Sequence, residues 1–181
     1  QGRIVRGAAG MAAELGHVQI PLDGLLETGQ PVPTCNCGLS GDAESVASLT
    51  GIEKNLLPYW LTRHPGHDLA EHAARKAAML VRGYGERDDP LAKRIFTQQA
   101  IALGRLFSIA ANFTDPHAYF VGGGVVEAAV HFREWFVAEV SANTALREEQ
   151  RRIAQFALVP DLDMAGARGA ALAAASATAL A

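Results

Sequence analysis

Apolar residues recur at helical spacing over most of the chain. Val46, Leu49, Ile52 and Leu56 stand three and four positions apart, which lines one face of an α-helix. Asp42 precedes them as a cap, and Glu44 falls in the first turn, where the helix dipole favours a carboxylate. A helix is therefore predicted from about Ala43, ended or bent at Pro58. A second, Ala-rich helix is predicted from about Asp68 to Tyr84, with Leu69, Ala73, Ala77 and Leu80 on one face and Gly83 and Gly85 closing it. Asp89-Pro90 begins a third. Its face of Leu91, Ile95, Leu103, Leu106, Phe107 and Ala110 runs to about Phe113 and reads as core or as a subunit interface. Further helices are predicted from about Val126 to Val140, with Trp135 and Phe136 in the core, and over residues 165–181.

Strand-like runs are few and short: residues 3–6, Val18-Gln19-Ile20 stopped by Pro21, a buried Tyr119-Phe120-Val121, and Ile153 to Val159. Asp115-Pro116 separates the long third helix from the strand at Tyr119. Few strands, many helices and a strand-glycine-helix joint predict an α/β fold. Residues 21–34, with Pro21, Pro31 and Pro33, read as a surface loop. His64-Pro65-Gly66-His67 reads as a solvated turn, and residues 147–152 as a solvated charged run.

Composition narrows the class. A chain of 181 residues with 49% hydrophobic and 19% charged residues suits one globular domain with a sizeable core. The net charge of −3 gives no electrostatic reason to expect nucleic-acid binding. No apolar run approaches the roughly 18 residues of a membrane span, and no signal-peptide pattern is present. Free thiols fit a reducing cytoplasm.

The candidate chemistry lies between Glu14 and Glu44. Glu14-Leu15-Gly16-His17 is followed by the proline loop and then by Cys35-Asn36-Cys37-Gly38-Leu39-Ser40-Gly41-Asp42-Ala43-Glu44. Two cysteines one residue apart are awkward for a disulfide. Two thiolates and an imidazole are good zinc ligands, and Asp42 offers an oxygen as a fourth. On the residues alone two readings stand: a metal knuckle, or two free cysteines in a turn beside a buried histidine. Glu44 is equally a helix-capping carboxylate. Gly122-Gly123-Gly124, between a strand and a helix start, is either a tight turn or a place where backbone approaches a nucleotide.

Taken together, these motifs resemble the ROK family of sugar kinases and sugar-responsive repressors. The family's pattern is Glu-x-Gly-His, a variable loop, then Cys-x-Cys-Gly-x-x-Gly-Cys-x-Glu. Asp115-Pro116 with the strand and glycine triplet, and Ala165-Gly166-Ala167-Arg168-Gly169-Ala170-Ala171-Leu172, resemble later segments of the family. The resemblance implies an actin-like (ribonuclease-H-like) sugar kinase lobe, the C-terminal half, with a zinc-knuckle-like segment over residues 17–44. It implies structural zinc on His17, Cys35 and Cys37, and sugar contacts from Glu14, His17 and Glu44. Asp42 stands where the family has its third cysteine, which weakens the zinc site.

The same resemblance implies ATP with magnesium along Gly122, Gly123 and Gly124, a sugar as partner, and a homo-oligomer. The chain opens on Gln1 with strand-like Arg3-Ile4-Val5, so a piece of a longer protein is expected. The family's Asp-x-Gly-x-Thr phosphate segment and its aspartate general base precede the Glu-x-Gly-His motif. They are expected in an N-terminal half, leaving no catalytic residue in this chain and the fragment inactive alone. An ATP-dependent kinase for a hexose or N-acetylhexosamine is the expectation, preferred because the glycine triplet is present. The alternative is the sugar-binding domain of a ROK-type repressor, and a third is a non-catalytic binding relic.

Overall fold

The computed structural model describes residues 7–178. The strand expected over residues 3–6 and the final residues of the last expected helix lie outside them. The described elements are α1 (Ala43–Ala47), α2 (Leu49–Gly51), a π-turn (Ile52–Leu56), α3 (Leu57–Arg63), α4 (Ala74–Gly85), α5 (Pro90–Thr114), β1 (Ala118–Val121), α6 (Val130–Ala142), α7 (Glu148–Arg151), β2 (Gln155–Leu158) and α8 (Leu162–Thr178).

Helix α5 is the axis of the core. Asp89 caps it by accepting the Ala92 N–H at 2.9 Å, and Pro90 occupies the first turn, where no N–H is needed. Leu91, Ile95 and Leu106 are buried, while Leu103 and Phe107 pack half-buried against the same core. Its C-cap Asp115 takes the left-handed conformation (φ 44°), which aspartate tolerates. Helix α6 crosses it closely because Gly104 has no side chain: a Cβ there would lie 2.6 Å from the Asn143 carbonyl. Phe96, Phe132 and Phe136 fill the joint, with Phe96 edge-on to Phe132 at 4.9 Å and to Phe136 at 6.0 Å.

Strands β1 and β2 pair in parallel, Ala118 opposite Gln155 and Val121 opposite Leu158, with α6 and α7 in the crossover between them. Tyr119 stacks on Phe156 at 4.9 Å. Among the described residues the sheet has these two strands.

Several expected elements differ. The helix from Ala43 is interrupted at Ser48, which is extended (φ −106°, ψ 165°) and recaps the chain through its hydroxyl to the Gly51 N–H. Pro58 does not end it. The π-turn, closed by Leu57 N–H to the Ile52 carbonyl, precedes Pro58, so proline enters at the first turn of α3 and the helix continues to Arg63. The helix from Asp68 is a 3₁₀ turn (Asp68–Glu71), a break, then α4. The break resets the phase, so Ala73 and Leu80 are exposed while Ala77, Ala78 and Val81 are buried.

Val18–Ile20 forms only a single bridge, Gln19 opposite Asp42. The helix expected from Val126 begins at Val130, after a 3₁₀ turn over Gly124–Glu127. Within β1, Tyr119 and Val121 are buried but Phe120 is 57% exposed, because successive strand side chains face opposite ways. Trp135 is half-buried beneath Lys93, whose Nζ lies 3.5 Å from the ring centroid. The charged run at residues 147–152 forms the short α7. Among the described residues no helix is long and apolar enough to cross a membrane.

Candidate functional site

A 3₁₀ turn, Leu15–His17, delivers the histidine, with Glu14 exposed at its N-cap. The chain then crosses the proline loop, anchored by a buried amide network: Gln98 donates to the Leu25 carbonyl (2.9 Å) and to Gln30 Oε1 (2.6 Å), and Trp60 donates to Gln98 Oε1 (2.8 Å). It returns through a narrow hairpin in which Thr34 opposes Ser40. Cys35 N–H meets the Leu39 carbonyl at 2.8 Å, and Gly38 N–H meets the Cys35 carbonyl at 3.1 Å. Gly38 (φ 92°) and Gly41 (φ 72°) supply the left-handed geometry this reversal requires. Ala43 N–H to the Val18 carbonyl (3.0 Å) and Ile20 N–H to the Gly41 carbonyl (3.0 Å) dock the hairpin exit beside His17.

Asp42 is fully buried and uses both carboxylate oxygens. Oδ1 accepts the Ser45 N–H at 2.8 Å, the N-cap of α1. Oδ2 faces His17 Nδ1 at 3.5 Å and Cys37 Sγ at 3.6 Å. Cys35 Sγ lies 3.7 Å from the same His17 Nδ1, and the four ligand atoms all fall within 4.8 Å of one another. Ligand atoms held about 2.0–2.3 Å from a common centre at tetrahedral angles stand about 3.3–3.8 Å apart. Three of the six edges, at 3.5, 3.6 and 3.7 Å, match that figure, and the donor set of one imidazole, two thiols and a carboxylate suits a tetrahedral cation of the zinc class. The two cysteines, both free thiols, face a histidine and a buried carboxylate.

At Cys35 the Cys37 N–H lowers the thiol pKa, but burial, the Cys37 thiol and the Asp42 carboxylate together outweigh it and push it up to about 11. At Asp42 burial alone would raise the pKa. The Ser45 N–H, the Cys35 thiol, the His17 ring and the Ser45 hydroxyl outweigh it, and the group titrates below the ordinary carboxylate range.

His17 presents its second nitrogen elsewhere. Nε2 lies 4.0 Å from Glu44 Oε2, and Gly16 lies against the same Glu44 side chain. The structure thus brings His17 and Glu44 together on the outer side of the knuckle, with Glu14 at the head of the same turn.

The glycine triplet lies on a separate cleft of about 510 Å³, lined by Ser48, Met79, Arg82, Gln99, Val125 and the three glycines among others. Gly123 has φ 84°, and Gly122 packs where a Cβ would meet Val159 at 3.3 Å. Arg82 pins the turn, donating to the Gly124 carbonyl (2.6 Å) and to Glu127 (2.9 Å). Helix α1 joins the two places. Its N-terminus carries Asp42 and Glu44, and its C-terminus opens on the cleft, where Gln99 donates to the carbonyls of Val46 (3.0 Å) and Ser48 (3.2 Å).

Sequence reasoning missed Arg82, Gln99 and Ser48. The one signal for Gln99 was a polar Gln98-Gln99 pair inside an apolar helix face; Arg82 had none. His67 is not solvated as expected of its turn: its Nδ1 accepts the Leu69 N–H (3.1 Å) and its Nε2 faces Asp89 (3.1 Å), with the side chain 12% exposed.

Comparison with known proteins gives the wider context. A model of the ROK family matches residues 1–177. The chain is 32% identical over 130 residues to a glucokinase of Halalkalibacterium halodurans, covering 70% of this chain and 37% of that protein. It is 29% identical over 139 residues to an N-acetyl-D-glucosamine kinase of Vibrio vulnificus, covering 74% and 41%. The chain therefore spans less than half the length of these curated relatives. It superposes on a ROK family glucokinase from Streptomyces griseus in complex with glucose and AMPPNP, with TM-score 0.65 and 23% identity over 94% of this chain and 53% of that one. It superposes equally, TM-score 0.65 and 23% identity, on a ROK family transcriptional regulator homologous to the E. coli MLC protein, over 95% of this chain and 40% of that one. The fold is the actin-like α/β architecture of these structures, present as a partial lobe.

Proposed function

The chain belongs to the ROK family, and from that premise we propose that it is the C-terminal lobe of an ATP-dependent kinase for a hexose or N-acetylhexosamine. The observation that carries the reading is helix α1, with a His–carboxylate cluster at one end and the glycine-lined cleft at the other. A phosphoryl-transfer enzyme needs its acceptor and donor sites side by side on a rigid support. The kinase relatives support the same reaction class.

In this reading Glu14 and Glu44 accept hydrogen bonds from sugar hydroxyls. His17 turns Nδ1 to the knuckle and Nε2 outward beside Glu44; with a zinc ion on Nδ1 the proton would sit on Nε2, which would then donate to the sugar. His17, Cys35, Cys37 and Asp42 would hold a zinc ion. Bound there, it would stiffen the knuckle rather than activate water, since four protein ligands leave no open position. Gly122, Gly123 and Gly124 would lie along ATP with its magnesium. The phosphate-binding segment and the aspartate that takes the hydroxyl proton belong to an N-terminal lobe. The protein would be a cytoplasmic homo-oligomer.

A second reading is the sugar-binding domain of a ROK-type repressor, which the equal superposition on a regulator supports. A coupled ATPase assay of the whole protein against hexoses and N-acetylhexosamines separates the two. Sugar-dependent ADP release is expected. Sugar binding without turnover would favour the repressor.

A further inference from the structure

The knuckle hairpin runs through Gly41 into helix α1, and the metal-ligating set exists only if the two are held at the right angle. Cys35 and Cys37 ride on the hairpin, and Asp42 on the start of α1. A third element reaches both. In the π-turn, Asn55 donates through Nδ2 to the Thr34 carbonyl at 3.0 Å and to the Ser45 carbonyl at 2.8 Å, while its Oδ1 accepts the Thr34 N–H at 3.2 Å. One amide thus takes both backbone groups of the residue before Cys35, as a neighbouring strand would, and ties them to the first turn of α1. Both donor hydrogens are used. Its neighbour Lys54 donates to Asn36, between the two cysteines, at 2.7 Å.

The approach depends on Gly51. A Cβ there would lie 2.6 Å from the Ser45 carbonyl oxygen and 2.9 Å from that of Val46. Gly51 and Asn55 therefore meet the same stretch of α1, one by lacking a side chain and the other by bonding to it. The π-turn that follows Gly51, Ile52–Leu56, holds both Lys54 and Asn55, whose side chains reach the hairpin at Asn36 and Thr34. Such turns recur at functional sites.

We propose that Asn55 is the positioning residue of the knuckle, fixing the hairpin against α1 so that Cys35 and Cys37 face His17 and Asp42. This rests on the metal reading given above. Residues that orient ligands without touching the metal change its affinity roughly 10- to 100-fold when removed.

The test uses the purified protein and cobalt(II), whose visible bands report the ligand set, beside hydrogen exchange of the metal-free protein over residues 34–41. Asn55→Ala is compared with wild type and with Gln150→Ala. Gln150 also makes three amide bonds, to Ala111, Asp115 and Arg147, but at the C-terminal end of α5. The expected result is a roughly 10- to 100-fold loss of cobalt affinity with altered bands in Asn55→Ala, faster exchange over residues 34–41, and neither change in Gln150→Ala. Wild-type affinity and bands in Asn55→Ala, or equal losses in both variants, would overturn the proposal. If the wild type takes up no cobalt, the metal reading falls. Asn55 is then judged on exchange alone: faster in Asn55→Ala only upholds its role, and unchanged exchange refutes it.

Discussion

The knuckle and the α5–α6 core are held by different physics. The core is made of Leu91, Ile95, Phe96, Phe132 and Phe136, all buried, and its stability comes from apolar area removed from water. Around the knuckle Leu15 and Leu39 are exposed and Asp42 is buried; shape there comes from a helix cap, two left-handed glycines and single amide bonds. Such bonds contribute about 0.5–1.5 kcal/mol each but fix angles that packing leaves free. The core should therefore govern whether the chain folds, and the knuckle what it binds.

The largest expected effect breaks the core side of this contrast. Phe132→Ala should destabilise by about 3–5 kcal/mol in urea unfolding, while the remaining folded protein keeps wild-type metal affinity. A matching loss of metal affinity would mean that the two regions are not separable.

Asp42 sharpens the contrast, because it belongs to both a helix and the ligand set. Asp42→Cys removes the cap to Ser45 and should lower metal-free stability by about 0.5–2 kcal/mol. It also adds a third thiolate, so zinc affinity should rise. Thermal melts with and without zinc read both changes, and a variant weaker on both counts would exclude Asp42 from the ligand set.

A smaller effect is expected at the cleft. Arg82 is partly exposed, and its ion pair with Glu127 contributes at most about 1 kcal/mol. Arg82→Gln should leave the melting temperature nearly unchanged yet raise the KM for ATP by loosening the Gly124 turn. An unaltered KM would show that the turn holds itself.

The knuckle was legible in the sequence because its parts are close in the chain: Cys35, Cys37, Asp42 and Glu44 lie on one short stretch, and His17 arrives through a backbone bridge to it. The Asp42 and Asp89 caps were legible for the same local reason. The cleft was not. Met79 and Arg82 come from α4, Gln99 from α5 and Ser48 from a helix break, and only the glycine triplet carried a local mark. Periodicity predicted one helix from Ala43, but the Ser48 hydroxyl competed for the backbone. Leu80 was placed on the buried face because the break after Glu71, which shifts the phase, has no proline or glycine to announce it.

The claim that the knuckle's outer side holds the sugar is tested most directly by calorimetry on the whole protein with glucose and N-acetylglucosamine, comparing wild type, Glu14→Gln and Glu44→Gln. Each replacement removes a charged acceptor and should weaken sugar binding by about 1.5–3 kcal/mol, with the affinity for an ATP analogue retained. Unchanged sugar affinity in both variants would contradict the account and return Glu44 to the role of a carboxylate at the start of a helix.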